Sequence, residues 1–195
     1  MLRLGEKLGP ILWQLPANFA FDAGRMDAFF SLLPRDTGEA LALARRRDVA
    51  RMRGRSALAI DLVRPLRHAL EPRHESFGSR EALRLLERHG IALVVADTAG
   101  KFPRFGQRTA GFMYVRLHGD EQLYVSGYSE TALRRWAAKV RRWAKQGDVY
   151  CYFDNDAKVH APFDALALMR LTSPRTPRRR RGRPTASSRR RPAPA

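Results

Sequence analysis

Two spacings of apolar residues alternate along the chain, one typical of strands and the other typical of helices. The short apolar run 9–16 is bounded by glycine and proline, which predicts a strand. Asp22 is placed to cap a helix that extends to about residue 33, because Pro34 cannot continue it. Apolar residues of this helix recur at the i, i+3, i+4 and i+7 positions of one face, at Met26, Phe29, Phe30 and Leu33.

The middle of the chain gives weaker signals. Residues 38–47 predict a second helix, whereas 48–66 favour neither a helix nor a strand. The segment 67–73 predicts a strand with a proline at its very end, since proline in a sheet is confined to ends, edges and bulges. Ser79 is then placed to cap a helix that stops at Gly90.

Strands and helices alternate regularly in the second half. The apolar runs 91–96, 112–118 and 148–153 each predict a strand. Between and after them lie two predicted helices, one capped by Ser129 and reaching about residue 146, and one over 162–171. Alternation with short connections indicates an α/β protein with a parallel sheet and right-handed crossovers.

Arginine supplies most of the positive charge of the chain, and its distribution distinguishes the C-terminal segment from the rest. The formal net charge is +18, and residues 173–195 contain nine arginines and no acidic residue. The rest of this segment is mostly proline, serine, threonine and alanine, a composition that cannot bury a core. We therefore expect a folded domain over residues 1–172 and a disordered arginine- and proline-rich tail over 173–195.

The chain contains a single cysteine, Cys151, which excludes an intramolecular disulfide framework and a Cys-x-x-Cys metal site. It lies inside an apolar run, so we expect a buried and unreactive thiol. No apolar run reaches 18 residues, and the N-terminus lacks the pattern of a signal peptide. We expect a cytoplasmic protein that does not interact with membranes.

Four short segments carry motifs whose order and spacing fit one family across residues 4–171. They are residues 8–16 (LGPILWQLP), 68–77 (HALEPRHESF), 114–119 (YVRLHG) and 152–156 (YFDND). Taken together, these segments resemble the YecE-like family, also called domain of unknown function 72.

The resemblance implies a (β/α)₈ barrel of the TIM type, of which this chain would contain about strands 4 to 8, the C-terminal part of the domain. Two positions depart from the family pattern. Phe77 stands where the family usually has tryptophan, and Asp154 stands where it usually has asparagine, which adds a carboxylate at the rim. The resemblance implies no particular reaction or cofactor, so it does not decide whether the chain is an enzyme.

Polar residues end or follow each of the predicted strands. In a parallel barrel alternate strand residues face the interior, and barrel enzymes assemble their sites where the strands end. Arg116 and His118 therefore share one face of their strand, and the same parity pairs Glu71 with Arg73. The candidate set at this rim consists of Gln14, Glu71, Arg73, Asp97, Arg116, His118 and Asn155.

These side chains suit the binding of a small anionic or phosphorylated ligand. We assign ligand binding to Gln14, Arg73, Arg116 and Asn155, because arginine and amide groups hold anions and the last two strands often carry the phosphate site of a barrel. We assign acid–base and orienting roles to His118, Glu71 and Asp97, because histidine side chains titrate near neutrality.

Two other interpretations of the rim residues remain open. The carboxylates could neutralise the arginines in a buried ion network that only stabilises the barrel. Glu71, Asp97 and His118 also offer oxygen and nitrogen ligands for Mg²⁺ or Mn²⁺, although no metal-binding motif supports this. The sequence identifies no cofactor.

The tail offers an alternative function. Arg181, Gly182 and Arg183, followed by Pro184, resemble an AT-hook, in which an extended Arg-Gly-Arg segment lies in the minor groove of DNA. The same arginines would also bind any polyanion by counterion release, or act only as a solubilising extension. Nucleic acid is thus a second candidate partner.

A third interpretation is a non-functional fragment of a longer protein. Five strands do not close a barrel of eight, so the first and last strands would leave open sheet edges. Such edges predict self-association with another chain.

Overall fold

The computed structural model describes residues 2–173, so the tail motif at Arg181, Gly182 and Arg183 lies outside the described residues. Six strands are present: β1 (Ile11–Gln14), β2 (His68–Glu71), β3 (Ala92–Leu93), β4 (Val95–Asp97), β5 (Met113–Leu117) and β6 (Val149–Phe153). The α-helices are α1 (Ala23–Ser31), α2 (Thr37–Arg45), α3 (Val49–Met52), α4 (Arg80–His89), α5 (Glu130–Ala144) and α6 (Ala161–Thr172). Two 3₁₀ helices span Leu2–Lys7 and Glu75–Gly78. None of these described helices is long and apolar enough to cross a lipid bilayer.

All strand pairs are parallel, which confirms the expected α/β class. The strands form two three-stranded sheets, in the orders β1-β2-β3 and β4-β5-β6. Only Val94 separates β3 from β4, and its backbone N–H donates to the carbonyl of Leu70 on β2 at 2.9 Å. The run 91–96, predicted as one strand, therefore links the two sheets because its first half pairs with β2 and its second half with β5.

The helices cover one face of the sheets. Phe30 of α1 and Leu86 of α4 pack with Leu70 and Leu93 in one buried cluster. A second cluster joins α5 and α6 to β4, β5 and β6, and includes Trp136. We call this the outer face. Strand residues of the opposite parity form a third cluster on what we call the inner face, which contains Ala69, Ala92, Val94, Ala96, Phe112 and Tyr114.

Side chains on the inner face reach strands that are not neighbours in the sheet. Arg67, just before β2, donates to Asp148 and to the hydroxyl of Tyr150 at 2.6 Å each. At the other end of the strands, Arg116 of β5 reaches Gln14 of β1. Such contacts require a strongly curved sheet whose inner face is concave.

The predicted helix starts are confirmed by capping hydrogen bonds. Asp22 accepts from the backbone N–H of Arg25, Ser79 from that of Ala82, and Ser129 from that of Ala132. Each bond satisfies one of the free N–H groups in the first turn. The ambiguous region 48–66 contains only the one-turn helix α3, and its remaining residues are irregular. These capping residues thus determine the first residues of α1, α4 and α5.

Candidate functional site

Three of the seven residues expected at the rim form a buried, bonded group where β2 and β5 end. Glu71 is the last residue of β2, Arg116 lies in β5, and His118 follows β5 directly. Nη1 of Arg116 donates to Oε2 of Glu71 at 2.7 Å, and Nε2 of His118 lies 3.2 Å from Oε1 of the same carboxylate. Glu71 and His118 are fully buried, while the Arg116 side chain retains 15% of its exposure. We call this group the inner cluster.

The inner cluster holds Glu71 as a carboxylate. Burial by itself raises the pKa of a carboxyl group, because the charged form loses its hydration. Burial does raise the pKa of Glu71, but hydrogen bonds from His118 and Arg116 outweigh it and leave that pKa below its ordinary value. Burial likewise opposes the charge of Arg116, but the bond to Glu71 raises its pKa overall. The cluster is therefore a buried ion pair with a histidine attached.

Asp154 adds a second carboxylate to the inner cluster. Its Oδ2 accepts from Nη2 of Arg116 at 2.5 Å and lies 3.0 Å from Nδ1 of His118, though without the alignment of a hydrogen bond. Asp154 was expected at the rim but not among the site residues. Its place in the site depends on the register between β5 and β6, which the sequence does not reveal. Arg116 pairs with Tyr152, so Asp154, two residues after Tyr152, lies on the same inner face.

Gln14 and Arg73 also lie at the inner cluster. Gln14 accepts from Nη1 of Arg116 through Oε1 at 3.0 Å. Nη2 of Arg73 lies 4.0 Å from Oε1 of Glu71 and donates to the hydroxyl of Tyr124 at 3.1 Å. The buried Nε of Arg73 meets no acceptor among residues 2–173. Arg73 is thus held beside the Glu71 carboxylate and has an N–H group that is not hydrogen-bonded within these residues.

Two aromatic residues that no sequence pattern indicated contact His118 and Arg73. The ring of Tyr124 stands edge-on to the His118 imidazole, with centroids 5.4 Å apart. The guanidinium of Arg73 lies over the ring of Phe102, 4.6 Å from its centroid. Tyr124 has a left-handed φ of 63°, which is unusual for a residue with a side chain. No local pattern predicts these contacts, because both residues come from loops.

The structure places Asp97 away from the inner cluster. Its strand keeps the alternation of faces, so Asp97 points outward, towards α5. There its Oδ2 accepts from Nε1 of Trp136 at 3.3 Å and from the hydroxyl of Tyr128 at 3.4 Å. Burial raises the pKa of Asp97, and the carboxylate of Asp120 raises it further. Asp97 therefore belongs to a separate polar environment under α5.

Asn155 is fully buried and anchors chain segments around the rim. Its Nδ2 donates to Oδ2 of Asp164 at 2.9 Å and to the carbonyl of Ser126 at 3.0 Å. The same Asp164 oxygen accepts from the backbone N–H of Tyr128 at 3.0 Å. Asn155 thereby joins α6 to the loop that carries Tyr124. These contacts give it a positioning role for the loop.

The described residues contain no group of three or more His, Cys, Asp or Glu side chains arranged to hold a metal ion. The trio considered from the sequence, Glu71, Asp97 and His118, is divided between the two faces. Within residues 2–173, the inner cluster offers one buried carboxylate already bonded to Arg116. Its composition suits anion binding and proton transfer better than metal coordination.

Comparison with known proteins identifies the family. Residues 1–188 match the model of the family described as protein of unknown function DUF72. The chain belongs to the DUF72 family. This is the family expected from the four sequence segments, and a match over 1–188 does not support restricting the resemblance to its C-terminal part. A comparison with curated proteins gives no match.

Solved DUF72 structures have a similar fold. A DUF72 protein from Thermotoga maritima MSB8 is 22% identical, with a TM-score of 0.62 over 85% of this chain and 58% of its own. A DUF72 protein from Enterococcus faecalis V583 is 15% identical, with a TM-score of 0.62 over 86% of this chain and 59% of its own. The chain thus spans about six-tenths of the length of these relatives.

The DUF72 segments converge on the inner cluster. Segment 8–16 contains β1 with Gln14, segment 68–77 contains β2, segment 114–119 contains β5, and segment 152–156 contains the end of β6. Each contributes at least one side chain to the bonded group around Glu71. The side chains of the bonded group around Glu71 therefore all come from the segments that carry the family resemblance.

Proposed function

We propose that residues 2–173 form part of a (β/α)₈ barrel of the TIM type. The parallel strand pairs, the connecting helices on one face and the concave inner face support this proposal. Among the described residues, β1 pairs only with β2 and β6 only with β5, so each has one free edge. The proposal implies that further strands, from this protein or from another copy, cover those edges.

We further propose that the rim formed by the strand ends binds a small anionic ligand, with a phosphate or carboxylate group. The observation that carries this proposal is the position of Arg73. Its guanidinium lies beside the buried Glu71, sits over the ring of Phe102, and has a buried Nε without an acceptor among the described residues. A fixed arginine with free donors is suited to bind an anion through a fork of two hydrogen bonds.

The neighbouring residues define the chemistry of such a site. Both terminal nitrogens of Arg116 are bonded, to Glu71, Asp154 and Gln14, so its role is to hold these side chains in place and to favour the charged form of Glu71. His118 is hydrogen-bonded to Glu71, lies 3.0 Å from Asp154, and is the group able to accept or donate a proton next to a ligand on Arg73. If catalysis occurs here, it is general acid–base catalysis by His118, oriented by Glu71.

The test is equilibrium binding of inorganic phosphate to the full-length chain by calorimetry. Arg73→Ala is expected to weaken phosphate binding at least tenfold, and Arg73→Lys is expected to recover part of the loss because it keeps the charge. Arg80→Ala removes an exposed arginine at the start of α4 and serves as the matched control. Equal affinities for Arg73→Ala and the unmodified chain would contradict the proposal.

Nucleic-acid binding through residues 174–195 is the second candidate function. The nine arginines of this segment, without any acidic residue, support it. Deletion of 174–195 is expected to abolish binding of double-stranded DNA or RNA while leaving phosphate binding at Arg73 intact. The affinity of the full chain for nucleic acid should also fall steeply as salt increases, and an affinity independent of salt would exclude this function.

A further inference from the structure

A cavity of about 570 Å³ lies under α5, on the outer face of β4. Its polar walls carry Asp97, Arg104, Arg135 and Lys139, and its apolar walls include Phe102 and Trp136. Asp97 and the inner-face residue Ala96 point to opposite sides of β4, so this wall of the cavity faces away from the inner cluster. Phe102, in the loop after β4, lines the cavity and also contacts Arg73 beside the inner cluster. The volume falls in the range typical of sites for small molecules.

The cations around this cavity are incompletely neutralised. Arg104 reaches Asp97 only at 3.7 Å, and its side chain is more than half exposed. Neither Arg135 nor Lys139 forms an ion pair with a carboxylate within residues 2–173; Nζ of Lys139 instead lies 4.3 Å above the ring of Trp136. Burial lowers the pKa of Lys139, and the positive charges of Arg104, Arg142 and Arg135 lower it further. An anion in the cavity would relieve this repulsion.

The two carboxylates of the cavity are already engaged. Asp97 accepts from Trp136 and Tyr128, and Asp120 accepts from the hydroxyl of Ser129 at 3.3 Å. Asp97 also lies 3.7 Å from Arg104, so its charge is partly balanced within the cavity. Asp97 also remains able to accept a hydrogen bond from a ligand hydroxyl. The cavity thus combines a cationic mouth, an apolar wall and one acceptor.

We propose that this cavity binds a small phosphorylated molecule, with its phosphate against Arg104, Arg135 and Lys139 and its carbon skeleton against Phe102 and Trp136. The site differs from the anion site at Arg73 in its cations, but the two sites share the ring of Phe102, which lines the cavity and also lies under the Arg73 guanidinium. A small ligand fits better than a polymer, because Arg104, Arg135 and Lys139 converge on one concave pocket beside α5. Aromatic walls favour a ligand with a planar or apolar part.

Pyridoxal phosphate and pyrophosphate are suitable probes for the full-length protein. Pyridoxal phosphate carries a phosphate and an aldehyde, which condenses with the free amine of a lysine and releases water to form an imine; borohydride then reduces this imine to a stable amine. Peptide mapping is expected to find Lys139 labelled at least tenfold more than the other lysines, with pyrophosphate protecting it. Lys139→Arg should lose the label and bind pyrophosphate within threefold of the unmodified chain.

Pyrophosphate titration of matched variants completes the test. Arg104→Ala and Arg135→Ala are expected to weaken binding at least tenfold, whereas Arg134→Ala, one residue along α5 and outside the cavity, should change it less than twofold. The tail arginines are common to all variants, so the differences report the cavity. Loss of binding in Arg134→Ala to the same extent would overturn the proposal, because the effect would then be one of general charge.

Two further results would also overturn it. If Arg73→Ala alone removed pyrophosphate binding, the measured ligand would occupy the rim site, which would support that site and exclude this one. If a single-stranded oligonucleotide displaced pyrophosphate at a lower phosphate concentration than pyridoxal phosphate does, the surface would bind polymers. Unchanged far-ultraviolet circular dichroism of each variant confirms that the comparison concerns binding and not folding.

Discussion

Nε2 of His118 lies 3.2 Å from Oε1 of Glu71, and both side chains are fully buried. Because Arg116 holds the other oxygen, the carboxylate is hydrogen-bonded on both sides and stays charged in the interior. Removing one member of such a buried group leaves the others without compensation, which costs more than the pair itself contributes. The inner cluster therefore links stability to the protonation of one carboxyl group.

Glu71→Gln tests this link directly. We expect it to lower the free energy of unfolding at pH 7 by about 3 kcal/mol, because Arg116 loses a buried counter-charge. The pKa of Glu71 is below its ordinary value of 4.5 in the folded chain, so its stabilising contribution is present above that pH and is lost as the pH falls through the folded pKa. Urea denaturation at pH 7 and pH 3.5 measures the free energy of unfolding of both proteins. The difference between the variant and the unmodified chain should be smaller at pH 3.5. Glu87→Gln, on the exposed side of α4, is the control and should show no such dependence.

Asp97→Asn, unlike Glu71→Gln, should not lower the free energy of unfolding at pH 7. Burial raises the pKa of Asp97, so the folded state favours its protonated form, and the stability of the unmodified chain decreases as the pH rises through that pKa. Asparagine can still accept from Trp136 and Tyr128 without carrying a charge. We expect Asp97→Asn to be as stable as the unmodified chain at pH 7, or more stable by up to about 1 kcal/mol. A loss of 2 kcal/mol or more would mean that the charge of Asp97 is required for folding.

Asp154→Asn should have a smaller effect than Glu71→Gln. The side chain of Asp154 is 35% exposed, and Arg116 keeps its bond to Glu71 when Asp154 is neutralised. We expect a loss of about 1 kcal/mol, the ordinary contribution of one hydrogen bond with partial solvent screening. Thermal unfolding of the two variants in the same buffer gives the comparison. Equal losses would show that Arg116 depends on both carboxylates to the same degree.

Tyr124→Ala should uncover His118. The ring of Tyr124 stands against the imidazole, which is fully buried, so its removal opens a path for solvent. Diethylpyrocarbonate should modify His118 at least fivefold faster in Tyr124→Ala than in the unmodified chain, as followed by peptide mass. Tyr124→Phe keeps the ring and loses only the acceptor for Arg73, so it should protect His118 as the unmodified chain does. Fast modification in both variants would indicate general loosening of the loop.

Cys151 should be unreactive in the folded protein. Burial raises the pKa of its thiol to about 12, so almost no thiolate exists at pH 8. It is the only cysteine, so alkylation of the whole chain reports this position alone. We expect iodoacetamide to react at least tenfold more slowly with the folded chain than with the chain in guanidinium chloride. Comparable rates in the two conditions would place the thiol on an accessible surface.

The sequence predicted the elements wherever a local signal was strong. Ser79 and Ser129 begin their helices as expected, because a capping side chain acts within three residues of itself. Parity along single strands also predicted that Arg116 and His118 share a face, as they do. These features depend on short-range geometry, so they are visible without a structure.

The remaining features depend on contacts distant in sequence. The run 91–96 is apolar on both faces, so its pattern does not reveal which way Asp97 points. Phe102 and Tyr124 reach the inner cluster from loops whose shape is set by their surroundings. Arg53, with a left-handed φ of 44°, ends α3 in a region where no periodicity guided prediction. The family resemblance located the strand ends but not these partners.

The loop that carries Tyr124 is fastened at both ends. At Gly119 φ is 131°, and a Cβ atom there would come within 2.3 Å of the carbonyl oxygen of Gln122, so only glycine fits this turn. At the other end, Asp164 holds the backbone of Tyr128 and is itself held by Asn155. Tyr124 lies between these two anchored points and stands against His118, so displacing its ring from the imidazole requires the intervening loop to bend. The span of chain between them, and not the sheets beneath it, would then set how quickly molecules reach the imidazole.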